Sequence, residues 1–190
     1  MKIADDEDTS HRPLRHRPAQ RSAMTPRALL PALAWPVCAW ARSHERRIAR
    51  AGRPLSPHER AIARQVGVVE VDRVRLAVVG AIPFPCNRLL DGLAAWAGLP
   101  GPGATDGLTL GHAIYLRAGA AHLPELLAHE CRHVQQCEQL GSLAAFLRRY
   151  LREVSRHGYH EAPLEIDARR AARAWLLAQQ PGPPAAALSA

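Results

Sequence analysis

From about residue 27 onward, apolar and polar positions alternate in patterns that separate helices from strands. The apolar run "ALLPALAWPVCAWA" (Ala28 to Ala41) and the polar stretch after it predict a helix from about Arg27 to Arg50, disturbed at Pro31 and Pro36. In "LSPHERAIARQ", Ser56 stands as an N-cap, Pro57 as the first helical residue and Glu59 as the partner that completes a capping box. "RVRLAVVGAI" alternates through Val74, Leu76 and Val78 and predicts a strand. "NRLLDGLAAWAGL" predicts a short helix inside a loop rich in Pro and Gly. "LTLGHAIYLR" predicts a second strand, with Leu110, His112, Ile114 and Leu116 on one face and Gly111, Ala113 and Tyr115 on the other.

Three further helices are predicted. The first runs from about Leu123 to Gln139, with Pro124 in its first turn and Gly141 past its end. The second, Ser142 to Arg156, carries an apolar stripe of Leu143, Phe146, Leu147, Tyr150 and Leu151 at helical spacing. The third spans about Pro163 to Gln179. Helices, a small sheet, then helices again define an α+β domain in which helix dominates.

The polar, charged stretch 1–26 and the Pro/Gly/Ala-rich end 180–190 are expected to be flexible tails around one domain, 27–179. That domain divides into N-terminal helices at 27–66 and a core at 108–179. A chain of 190 residues suits one compact domain and is short for two.

Charge changes this picture little. The formal charge is +8 and Lys2 is the only lysine, but the arginines are scattered through helices such as "FLRRYLREVSR". No aromatic-interleaved basic stripe accompanies them, so no specific nucleic-acid partner is expected. The segment 28–41 ends in Ala39-Trp40-Ala41, which resembles a signal-cleavage site. It is too short to span a bilayer and follows the acidic run Asp5, Asp6, Glu7 and Asp8. The four cysteines form no CxxC pair, and a cytoplasmic location is expected. Export, or weak membrane association through 28–41, is the alternative.

Candidate chemistry concentrates in "LLAHECRHVQQ". On a helix, His129 and His133 at i and i+4 stack on one face, and both imidazoles can reach a single ion. Glu130 occupies another direction, where its carboxylate can accept a proton from water beside a metal, as in H-E-x-x-H motifs. A catalytic zinc needs a third protein ligand. The histidine-extended form of the motif requires Gly and His where this chain has Gln136 and Gln139, which excludes that class. A glutamate from a later helix remains, and "GYHEAPLEIDARRA" offers Glu161 and Glu165. Glu165 is the better placed, because Pro163 can start its helix and the small Ala168 permits close packing. His157 and His160 are weaker candidates for the same role.

With "LTLGHAIYLR" before it and "APLEIDA" after it, this motif resembles the gluzincin metallopeptidases. It is most similar to small bacterial metallopeptidase domains with HExxH followed by "VQQ" and a late E-x-x-A helix. The resemblance covers roughly Leu108 to Ala172 and implies a minimal, mainly helical zincin-like domain with a small sheet beside the motif helix. It implies Zn2+ bound by His129, His133 and Glu165, with Glu130 activating water. It also implies a peptide or protein substrate that adds to the strand before the helix. Many gluzincins place an aspartate four residues after the ligand glutamate to orient a histidine; here that position is Arg169, and Asp167 lies on another face. His112, Tyr159 and His160 are candidates for contacts to substrate or to an oxyanion. The alternative to a peptidase is a metal-binding or interaction module that keeps this fold without turnover.

Overall fold

The computed structural model describes residues 34–85 and 105–180. The expectations for residues 1–33, for a helix in "NRLLDGLAAWAGL" and for the tail after 180 lie outside the described residues. Within them the fold is α+β and mainly helical, as the hydrophobic pattern predicts.

Helix α1, Ala34–Ala51, carries Pro36 near its start and leads into the two-residue strand β1, Arg53–Pro54. Helix α2, Pro57–Gln65, begins with the anticipated capping box: Ser56 Oγ accepts from the Glu59 N–H, and the Glu59 carboxylate accepts from the Ser56 N–H. A 3₁₀ turn, Val71–Arg73, precedes strand β2, Arg75–Val79. Val74 and Leu76 are buried as expected, whereas Val78 is exposed.

The segment "LTLGHAIYLR" is not one strand but a hairpin. Strands β3, Gly107–Leu110, and β4, Ala113–Arg117, pair antiparallel with Leu110 opposite Ala113, so Gly111 and His112 form a two-residue turn. Gly111 has φ +66°, a conformation that glycine adopts without penalty and that two-residue hairpin turns demand. The apolar alternation continues across this turn, which hides it from a periodicity reading. His112 consequently sits at the hairpin tip instead of beside Ile114 on a sheet face.

The sheet order is β1-β2-β4-β3, with β2 parallel to β4 and both outer pairs antiparallel. Proline is tolerated in β1 because that strand lies at an edge. One face of the sheet, with Leu76, Ile114 and Leu116, packs against α2 and helix α3, Pro124–Gln139, through Ile62, Leu127, Cys131 and Val134. Ala113 and Tyr115 on the opposite face meet Ala41 and Ile48 of α1. Burial on both faces explains why β4 reads as nearly continuous apolar sequence.

Two tight corners then fold the last three helices together. Gly141, at φ +78°, ends the first of them, and Ser142 caps helix α4, Leu143–His157, by accepting from the Ala145 N–H at 3.2 Å. Gly158, at φ +79°, ends α4, and helix α5, Pro163–Ala178, starts with proline in its first turn. The result lays α5 along α3, with the fully buried Ala168 on its inner side. Cys131 and Cys137, both on α3, are buried and free. No helix among the described residues is long and apolar enough to cross a membrane.

Candidate metal centre

Helical geometry brings His129 and His133 one turn apart on α3, and α5 delivers Glu165 against them. The two Nε2 atoms are 3.1 Å apart. Glu165 Oε2 lies 3.5 Å from His129 Nε2, and Glu165 Oε1 lies 3.5 Å from His133 Nε2. Glu161 and His157, the rival third ligands, are exposed and take no part in this cluster.

The three side chains fit a metal ion on two grounds. Donor atoms each about 2.0–2.1 Å from a tetrahedral ion lie about 3.3 Å from one another, close to the separations found here. Glu165 is 2% exposed, and its Oε2 has no hydrogen-bond partner among the described residues. A buried carboxylate oxygen without a hydrogen bond is costly; the Arg169 guanidinium stands 3.5 Å from it, and a bound cation would satisfy it directly. The cluster can therefore hold a metal ion.

Surrounding residues set the orientation of His133 and Glu165. Gln136 Nε2 donates to Leu164 O at 2.9 Å and to Asp167 Oδ2 at 2.7 Å, which leaves Gln136 Oε1 facing His133 Nδ1 at 2.8 Å. His133 must then carry its proton on Nδ1 to donate it, so the Nε2 lone pair faces His129 and Glu165. Asp167 is itself gripped by the Arg132 guanidinium at 2.8 and 3.0 Å, and Arg132 also donates to Val66 O. Tyr150, on α4, donates its hydroxyl to Glu165 Oε1 at 2.8 Å. Asp167 thus serves His133 after all, with an amide between them. Arg169 instead places Nη1 3.5 Å from Glu165 Oε2 and donates through Nη2 to His160 O.

Electrostatics follow from this enclosure. Burial lowers His129 to about 4, with His133 adding to the effect, which keeps it neutral and able to ligate. Burial also opposes charge on His133 and Glu165. Their mutual attraction across 3.5 Å overrides it, raising the histidine and lowering the glutamate. Burial pushes Tyr150 well above the ordinary phenol range, with the Glu165 charge adding to it, so Tyr150 stays a donor.

Glu130 packs against β3. It is 4% exposed, and the Thr109 hydroxyl lies 2.7 Å from its Oε2 and 3.0 Å from its backbone carbonyl. Gly107 passes so close that a Cβ there would stand 2.7 Å from Glu130 Cδ. Burial raises the Glu130 carboxyl to about 7, where it can take up and release a proton near neutrality.

Two cavities open onto this site. One, about 660 Å³, is lined by Glu130, His129, Tyr159, His160, Arg169 and Arg173 among others. A second, about 190 Å³, reaches His129 and His133 and is walled by Trp40, Phe84, Phe146 and Leu147. Tyr159 lines both, and burial holds its phenol above the usual range, as a proton donor. His160 is exposed at the rim. His112 lines neither: it stands near the far end of α3, beside Glu138.

His129, His133 and Glu165 come together as the sequence predicts, whereas the supports Thr109, Gln136, Tyr150 and Asp167 carry no such signal in the sequence. Tyr150 reads as one more member of an apolar stripe. Comparison of the chain with protein-family models, curated proteins and solved structures returned no match.

Proposed function

We propose that the protein is a zinc-dependent peptidase of the gluzincin type, with Zn2+ held by His129, His133 and Glu165. One observation carries this reading. Glu130, the residue between two ligand positions, is a buried carboxylate with a raised pKa that shares its cavity with His129.

Zinc bound there supplies Lewis acidity toward a substrate carbonyl and toward water. Glu130 accepts a proton from the attacking water and passes it to the departing amine. The Thr109 hydroxyl suits both of its states. It donates to Oε2 when Glu130 is ionised; when Glu130 is protonated it accepts from the carboxyl group and donates to the Glu130 carbonyl. Tyr159 offers a hydroxyl donor to the developing oxyanion. The substrate is a peptide in extended conformation, since β3 has β4 on one side and, among the described residues, no strand on the other.

Glu130→Gln tests this proposal. The variant should retain zinc and lose hydrolysis of a broad peptide library, while full activity would overturn the role given to Glu130. Stoichiometric zinc on a wild type inert toward such libraries would instead identify a binding module.

A further inference from the structure

The far end of α3 carries a second cluster of ligand-type side chains. His112, at the β3–β4 hairpin tip, places Nε2 3.1 Å from Glu138 Oε1 and 3.5 Å from Glu70 Oε2. The residues come from three separate pieces of chain: the turn before β2, the hairpin and α3. Their ligand atoms all lie within 4.8 Å of one another, and the two His112 separations match those at the first centre. Glu138 is held from behind, because its Oε2 accepts from Val69 N at 2.8 Å and its Oε1 from Glu70 N at 2.9 Å. These bonds fix the carboxylate and leave lone pairs free toward His112.

An independent observation points to a ligand here. Gln135, one turn before Glu138 on the same helix, is 7% exposed and lines the same cavity of about 690 Å³. Its Oε1 is buried and has no hydrogen-bond partner among the described residues. An amide oxygen only accepts, so it needs a donor or a cation. A proton on His112 could bridge Glu70 and Glu138, yet it would leave Gln135 Oε1 as it stands. A divalent ion can bind His112 and both carboxylates, whose ligand atoms all lie within 4.8 Å of one another.

We propose that Glu70, His112 and Glu138, in a cavity that Gln135 also lines, form a second site for a first-row divalent metal ion. One imidazole with two carboxylates is a donor set that both Zn2+ and Mn2+ accept. Glu70 also pairs with Arg73, which shares its carboxylate with the ion. The site is distinct from the first, since His129 and Glu138 lie nine residues, about 13–14 Å, apart along α3. Its role is structural: it ties the loop after α2 and the β3–β4 hairpin to the end of the motif helix.

The test is metal content of the full-length protein after equilibration with Zn2+, for the wild type and single variants, each checked for folding by circular dichroism. The wild type should hold two equivalents, and His112→Ala, Glu70→Gln and Glu165→Ala one each. The His112→Ala/Glu165→Ala double variant should hold none. Zn2+ should also raise the Tm of Glu165→Ala but not of the double variant. Glu70→Gln alters a half-exposed carboxylate and serves if His112→Ala fails to fold. One equivalent in the wild type that Glu165→Ala removes would overturn this site and leave the first intact. Two equivalents retained by Glu165→Ala would overturn the Glu165 assignment of the first. Stoichiometry unchanged in both His112→Ala and Glu70→Gln would overturn the second site.

Discussion

His133 Nδ1 lies 2.8 Å from Gln136 Oε1, and this contact decides which nitrogen of His133 faces the ligand cluster. Gln136 cannot flip its amide without losing its bonds to Leu164 O and Asp167, so its oxygen must face the histidine. Gln136→Ala should therefore weaken metal binding at this cluster by about 10–100-fold, the usual effect of removing a group that orients a metal-ligating histidine. Titration against a competing chelator checks this, and unchanged affinity would show that the amide does not set the tautomer.

The same contact marks how far the sequence could be read. The i, i+4 spacing predicts His129 and His133 directly, and Pro163 sets the helix that carries Glu165. A helical wheel puts Asp167 on another face from Glu165, but it misses that a glutamine amide can link Asp167 to His133. Tyr150 has no polar signature because its ring belongs to the apolar stripe while its hydroxyl alone reaches Glu165. The hairpin turn was hidden because Leu110 and Ile114 keep alternating across Gly111; glycine at the first turn position was the available clue. Pairings between distant elements, such as Thr109 with Glu130, leave no local pattern at all.

Gly107 and Glu130 should be energetically coupled. A Cβ at residue 107 would meet Glu130 Cδ at 2.7 Å, closer than van der Waals contact allows. Gly107→Ala should cost about 1–3 kcal/mol in the wild type, the range of overpacking in a filled interior. In a Glu130→Ala background the clash disappears and most of that cost with it. Urea denaturation of the four proteins of the cycle measures the coupling. Equal cost in both backgrounds would mean that the strain lies elsewhere.

Gly141 should show the opposite behaviour. Nothing lies within 4 Å of a Cβ built there, but its φ is +78°. Gly141→Ala should cost about 1–2 kcal/mol through the left-handed backbone alone. No neighbouring deletion should rescue it, and metal content should stay unchanged, because the corner leads into α4 and not into the ligand cluster. A loss below the error of thermal denaturation would show that the corner relaxes freely.

The start of α2 should contribute a pH-dependent part of stability away from the metal centre. Both Glu59 oxygens lie 2.7 Å from the Arg53 guanidinium, and Oε2 also accepts from the Ser56 N–H. The hydrogen bonds to Arg53 and to the Ser56 backbone prevail over partial burial and lower the Glu59 carboxyl to about 2 from its ordinary 4.5. A carboxyl more acidic in the folded than in the unfolded chain stabilises the fold fully above pH 4.5 and loses that contribution as pH falls through about 2. At neutral pH, Glu59→Gln should be less stable than the wild type by about 1 kcal/mol, the scale of a helix cap. Because other carboxylates titrate in the same range, the informative quantity is the gap between the two proteins. It should narrow steadily between pH 4.5 and 2 in denaturant titrations; a gap that stays constant to pH 2 would mean that the Arg53 pairing does not hold in solution.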